Sequence, residues 1–375
     1  MNTTRIHASL IILSFILVIS PCLNAQSLVD SEANTETVAL YNNMLDLSQE
    51  HILFGHQDAL AYGVGWRKWH KRRSDVKEVS GKYPAVFGWE MSKLGKSPLN
   101  IDSVSFAHMK GWMKQAYKLG GVNEISWHVD NFVTGGDSWE VGEKVVSSIL
   151  PGGEHHQAFL TKLDLFADFV RDLRVGFLKK RDIPIIFRPF HEHTGSWFWW
   201  GKDHCTAAEY KQLFRFTVAY LRDTQDLHNI LYCYSPDIVE SKEHYLERYP
   251  GDEYVDILGI DNYHDFKQDG RTEDMLKRLR IVVALAEEKG KVAALSETGL
   301  ESIPDPQWWT EKVLMPIKGD EVASRIAWLM VWRNARKSHH YAPFPGHLSA
   351  KNFMEFSRDP IMLFAEDISD IYRYK

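Results

Sequence analysis

The chain has 375 residues, with 44 Lys and Arg against 50 Asp and Glu, and its formal charge of −6 gives nucleic acid no basic surface to bind. Three cysteines are too few for a disulfide scaffold. No Gly/Ser/Pro-rich linker and no low-complexity tract divides the sequence, so a single domain is expected despite a length that would allow two.

Residues 1–25 read as an export leader. Arg5 supplies the positive start, residues 10–19 are almost wholly apolar, and Leu23-Asn24-Ala25 puts a small residue before the expected cut. The run is short for a membrane span, and no later stretch reaches the roughly 20 apolar residues a transmembrane helix needs. The mature chain, residues 26–375, is therefore expected in the periplasm or outside the cell. Lipidation at Cys22 with outer-surface anchoring is the alternative, and Pro21 disfavours it.

Eight short apolar runs rich in β-branched residues follow, at 52–57, 85–90, 122–128, 183–192, 229–236, 255–263, 292–299 and 326–334. None alternates cleanly with polar residues, which is the pattern of parallel strands covered on both faces. Stretches of helical period separate them. Met109, Trp112, Ala116 and Leu119 form one stripe, closed by Gly120. Thr206-Ala-Ala-Glu209 is a capping box opening a helix with Leu213, Phe216 and Tyr220, and Gly290 terminates the stripe of Met275, Leu276, Leu279, Val283 and Ala286. Strict strand–helix alternation dictates parallel pairing, and eight strands suit a closed barrel. The predicted fold is α/β, a single (β/α)8 TIM barrel. A doubly wound sheet is the alternative, but no Gly-x-Gly-x-x-Gly follows an early strand. Cys205 and Cys233 are expected as unpaired, partly buried thiols, with one bridge between them as the alternative in an oxidising compartment.

The strand ends carry the chemistry. They bear His56 and Gln57, Trp89 and Glu90, Trp127 and His128, His191 and Glu192, Asp261 and Tyr263, Glu297, then Trp332, Arg333 and Asn334. Such ends describe a polar, aromatic-walled cleft, suited to sugar rings whose faces stack on indole and whose hydroxyls need directional partners. Among the loop tryptophans, the run Trp197-Phe198-Trp199-Trp200 cannot all point inward, so at least one ring must meet solvent or ligand. Glu192 and Glu297 fall at the ends of the fourth and seventh strands and face each other across the mouth. Double-displacement glycoside hydrolysis needs two such carboxyls, about 5–5.5 Å apart. Adjacent carboxylates repel, so one keeps its proton. Arg188, four residues before Glu192, is placed to hold Glu297 ionised.

Lone strand-end acids often only cap the next helix; two of them in this context point to catalysis. His191-Glu-His193 lacks the spacing of a zinc helix, and His155-His156 and His339-His340 read as loop polarity. No metal or cofactor is expected.

Several ordered motifs carry a resemblance. Arg188-Pro-Phe-His-Glu192-His-Thr-Gly195-Ser-Trp197-Phe-Trp199-Trp200 with Leu295-Ser-Glu297-Thr-Gly299 resembles glycoside hydrolase family 26, whose best-known members are β-mannanases. Phe54-Gly-His-Gln57, Tyr254-Val-Asp-Ile-Leu-Gly-Ile-Asp261-Asn-Tyr263 and Trp332-Arg-Asn334 match further family motifs in order, so the likeness covers nearly the whole mature chain. The resemblance implies a retaining endo-β-1,4-mannanase acting on mannan, galactomannan or glucomannan, as a monomer. Glu192 would be the general acid/base and Glu297 the nucleophile, with Tyr263 hydrogen-bonded to Glu297. His191, before the acid/base, is a family feature; His128, Trp197 and Trp332 would surround the sugar being cleaved, and Arg333 would bind the next sugar toward the non-reducing end. The resemblance also places Glu90 and Trp139 at the cleft, in a region where loop lengths vary within the family. Mixed-linkage β-glucan or β-1,3-xylan are alternative substrates within the family. A barrel that only binds polysaccharide is the alternative outside enzymes, against which the retention of both glutamates and their supporting His191 and Tyr263 argues.

Overall fold

The computed structural model describes residues 28–67, 72–177, 179–267 and 270–373. The expected leader with Cys22, and Trp69, lie outside the described residues. Eight parallel strands follow the predicted runs one for one: β1 (Ile52–Gln57), β2 (Val86–Glu90), β3 (Val122–Trp127), β4 (Ile185–Pro189), β5 (Ile230–Tyr234), β6 (Ile257–Asn262), β7 (Val292–Thr298) and β8 (Trp328–Val331). Each pairs with its neighbour in sequence, and β8 closes on β1 from Leu53 opposite Trp328 to His56 opposite Val331. Every residue of these strands is buried, which is why their sequences run apolar without alternation. At the closing seam Gly55 is required by space: a Cβ there would stand 2.8 Å from Met330 Cβ.

Helices pack outside the strands as their stripes predict. Thr206 caps the helix Ala207–Ala219 with a reciprocal Glu209 bond, and Gly290, at φ 64°, ends Thr272–Lys289. In the helix Phe106–Lys118, Met113 takes the buried position the stripe gave to Trp112, which is left half-buried. A helix not expected from the sequence, Thr35–Leu47, lays Leu40, Tyr41 and Met44 against the lower ends of the strands, among Leu53, Val122, Ile186, Ile257 and Trp328. Tyr41 locks it by donating from its hydroxyl to the Gly290 carbonyl at 2.9 Å. Each such buried apolar side chain contributes roughly 1.5–3 kcal/mol. The helix thereby covers this end of the barrel. A hairpin of Arg174–Val175 and Arg181–Asp182, and a short strand β9 (Met362–Leu363) beside the start of β1, were also not expected.

Cys205 and Cys233 are free, as expected, and both are buried rather than partly so; the alternative of a bridge between them is not realised. One strand boundary is corrected. The fourth run does not continue as strand to Glu192. It stops at Pro189, which has no N–H for the ladder, and Phe190 and Glu192 take φ of 49° and 54°. The turn's polar groups find other partners: Glu192 N donates to the Ser235 carbonyl at 2.8 Å, Tyr210 Oη to the Phe190 carbonyl and Trp200 Nε1 to the His191 carbonyl. A non-glycine residue in the left-handed region costs on the order of 1–3 kcal/mol, held here by those bonds. Among the described residues no helix is long and apolar enough to cross a membrane.

Candidate active site

Glu192 and Glu297 line one cavity of about 380 Å³ at the mouth, walled by His128, Trp139, Trp197, Tyr263, Trp332 and Tyr341. Their surroundings differ. Arg188, rising inside the barrel from β4, donates from Nη2 to Glu297 Oε2 at 2.7 Å, and Tyr263 Oη donates to Glu297 Oε1 at 2.8 Å. Both bonds stabilise a carboxylate. A bulge helps to aim Glu297: β7 carries one extra residue against β6, so that Leu295 faces Ile260 and Glu297 faces Asp261 with Ser296 between.

Glu192 has a single side-chain partner among the described residues, Trp197, whose Nε1 donates to Oε2 at 2.7 Å. Burial pushes the Glu192 carboxyl well above the usual range, and the negative charges of Glu297, Asp261 and Asp237 push the same way, against the Trp197 bond. Within one cavity stand a carboxyl pushed toward its neutral form and a second one held by a guanidinium and a phenol. Such a pair can protonate a leaving oxygen from one side and attack carbon from the other.

His128 forms the opposite wall. Glu90 accepts from His128 N at 2.9 Å, from Ser92 N at 2.6 Å and from Ser126 Oγ at 3.0 Å, and it meets His128 Nδ1 at 2.6 Å. Burial alone would lower the His128 pKa, but the Glu90 charge and hydrogen bond outweigh it and raise it. The imidazole lies parallel to Trp139, with centroids 4.9 Å apart. His191 stands behind His128, edge to face at 4.5 Å, and does not line the cavity. Burial, then the charge of Arg188, pushes its pKa well below the ordinary value, so the ring is neutral.

Of the four consecutive aromatics, Phe198, Trp199 and Trp200 are buried, whereas Trp197 is 41% exposed at the cavity edge. Trp332 lines the same cavity, and its neighbour Arg333 points into a second one. That cavity, about 540 Å³, is lined by Tyr62, Leu99, Ile101, Asp102, Trp112 and Arg333 among others. Although larger, it contains neither glutamate. Arg333 pairs there with Asp102 at 2.9 Å, and its Nη1 donates to Tyr62 Oη at 3.4 Å.

The profile of glycosyl hydrolase family 26 matches residues 29–350. The chain belongs to glycosyl hydrolase family 26. It is 37% identical over 290 residues to a mannan endo-1,4-β-mannosidase of Bifidobacterium adolescentis, a match covering 74% of this chain and 28% of that protein. The chain thus spans about a quarter of that relative's length. A GH26 β-mannanase from Bacteroides ovatus has a solved structure with 43% identity and a TM-score of 0.85, covering 91% of this chain and 98% of that one. The catalytic domain of a Bacillus sp. JAMB-750 GH26 endo-β-1,4-mannanase gives 38% identity and a TM-score of 0.86, covering 93% and 96%.

Within this family 26 barrel, the structure adds residues that the sequence reading left out. Tyr62 and Asp102 meet Arg333 from loops after β1 and β2, and Tyr341 reaches the cavity from beyond β8; loop residues carry no periodic signal that would assign them. Glu124 and Asp261 accompany Glu297 on Arg188. Glu124 had a legible signal, a charged residue in the middle of a run otherwise fit for complete burial.

Proposed function

We propose that this chain is an endo-β-1,4-mannanase that cleaves with retention, Glu192 acting as general acid/base and Glu297 as nucleophile. The observation that carries the reading is the contrast between the two glutamates sharing one cavity. Glu297 receives Arg188 and Tyr263, while Glu192, half-buried, has only Trp197 among the described residues. In the first step Glu192 protonates the glycosidic oxygen as Glu297 attacks the anomeric carbon; in the second, Glu192 takes a proton from water, which releases the sugar. Neither step calls for a cofactor. His128, Trp197 and Trp332 surround the sugar being cleaved, with neutral His191 supporting His128 from behind. Arg333 takes the next sugar toward the non-reducing end. The mannanase names of the relatives support mannan, galactomannan or glucomannan as substrate.

The same reading takes residues 1–25 as a cleaved leader, with lipidation at Cys22 as the lesser alternative, and residues 26–375 as one exported, monomeric catalytic barrel. The test is release of reducing ends from a panel of mannan, galactomannan, glucomannan, mixed-linkage β-glucan and β-1,3-xylan. A rapid fall in viscosity of the mannans with few reducing ends supports endo action on mannan. Preferential attack on either of the last two polymers, or on none, rejects the substrate assignment.

A further inference from the structure

Beneath the cavity, Arg188 is fully buried and serves three carboxyls at once: Nε donates to Glu124 Oε1 at 2.6 Å, Nη1 to Asp261 Oδ2 at 2.8 Å and Nη2 to Glu297 Oε2 at 2.7 Å. One guanidinium cannot neutralise three buried carboxylates, and the cost of an uncompensated buried charge is several kcal/mol. At least one of the three should therefore carry a proton. The hydrogen bonds distinguish them. Asp261 accepts from Arg188, from Ser235 Oγ at 2.5 Å and from Ser296 Oγ at 2.7 Å, so both its oxygens are engaged. Glu297 accepts at both oxygens from Arg188 and Tyr263. Glu124 Oε2 is buried with no hydrogen-bond partner among the described residues.

We propose that Glu124 is a positioning residue held as the neutral acid, its proton on Oε2, so that Arg188 shares its charge between Asp261 and Glu297 alone. The inference rests on Glu297 being the nucleophile only for its meaning in catalysis; the protonation itself is independent of that assignment. Burial, the largest influence, pushes the Glu124 carboxyl up to about 7, with Arg188 opposing and the charges of Glu297 and Glu90 adding. Burial pushes Asp261 further, to about 8, against Arg188 and its two serines. Asp261 holds three donors and Glu124 one, so the bare oxygen of Glu124 is the better home for the proton. The other titratable groups facing the cluster include Cys233 from β5, whose thiol burial keeps protonated, His191, which burial and Arg188 keep neutral, Tyr263 on Glu297, Glu192 across the cavity, and the pair of His128 and Glu90, whose charges offset each other.

A neutral Glu124 does two things for the site. It leaves one carboxylate in excess over the Arg188 guanidinium rather than two, and through its bond to Nε it helps to fix the guanidinium plane. The test is infrared difference spectroscopy of the full chain near neutral pH in a Glu192→Gln background, which removes the other protonated carboxyl of the site, reading the carbonyl stretch of a protonated, buried carboxylic acid. The band should disappear in Glu124→Gln and shift, not vanish, in Glu124→Asp. In parallel, with Glu192 intact, the acid limb of kcat/KM should stay in place in Glu124→Gln, where one neutral group replaces another. It should move to lower pH by roughly one unit in Asp261→Asn, where a competing negative charge is lost. Absence of the band in the Glu192→Gln parent, its survival in Glu124→Gln, or its loss in Asp261→Asn instead would overturn the assignment. Inactivity of the chain with Glu192 intact, with the band present in the background and lost in Glu124→Gln, would reject the proposed function and leave this inference standing.

Discussion

Arg188 Nη2 stands 2.7 Å from Glu297 Oε2, while among the described residues no cation pairs with Glu192. The asymmetry divides the work between the two carboxyls before any substrate arrives. One is held by a guanidinium and a phenol, and the other, half-buried beside it, is pushed toward the neutral form.

The division predicts different fates for the two alanine variants. Glu192→Ala should keep the first step on aryl mannosides with good leaving groups, lose roughly 10²–10⁴-fold on polysaccharide, and regain turnover with azide. Glu297→Ala should be inactive on both with no azide effect. Equal loss in both variants on the activated substrate sinks the assignment.

Activity requires Glu192 protonated, so kcat/KM should fall as pH rises through its elevated pKa. The Trp197 Nε1 bond stabilises the ionised form of Glu192 and lowers that pKa. Removing it in Trp197→Phe, which keeps an aromatic face, should therefore move the basic limb to higher pH. A limb unmoved in this variant would show that the bond does not set the acid's protonation.

Attack by Glu297 from the face opposite the leaving group, followed by water from the face just vacated, leaves the released sugar with its original configuration. Proton NMR of early products should show the β-anomer first. Initial α-anomer means that the two carboxyls act on a water rather than through a covalent intermediate.

Arg333→Ala should cost roughly 1–3 kcal/mol in kcat/KM on mannotetraose, the scale of a charge-assisted bond left unmade, and less on long polymer held by more rings. The structure adds a stability effect. Asp102, which burial pushes up to about 6 against the opposing charge of Arg333, would lose its partner. The variant's loss in Tm should be larger above pH 6 or so, where Asp102 is ionised, and shrink below it, where protonation removes the uncompensated charge. Unchanged mannotetraose kinetics with a lowered Tm would make Arg333 a structural residue.

The two cavities show where sequence reasoning stopped. That Trp332 and Arg333 diverge was legible, because adjacent residues leaving a strand point to opposite sides. That Arg333 lands on Asp102 and Tyr62 was not, because those residues come from loops whose paths no periodicity encodes. Likewise the sequence put Glu192 at the end of the fourth strand, whereas it stands in a turn beyond Pro189, with a positive φ held by Ser235, Tyr210 and Trp200, which reach that turn only on folding.

The sequence by itself determined the eight strands, the capping of their helices and the pair of glutamates at the open end. These are written in local patterns of burial, and a barrel closed by such strands can put its polar ends in only one place. Only the tertiary structure decided how many carboxyls share the charge of Arg188. Protonation in a buried site depends on distances between charges that different strands bring together, and Arg188 meets Glu124, Asp261 and Glu297 from three of them.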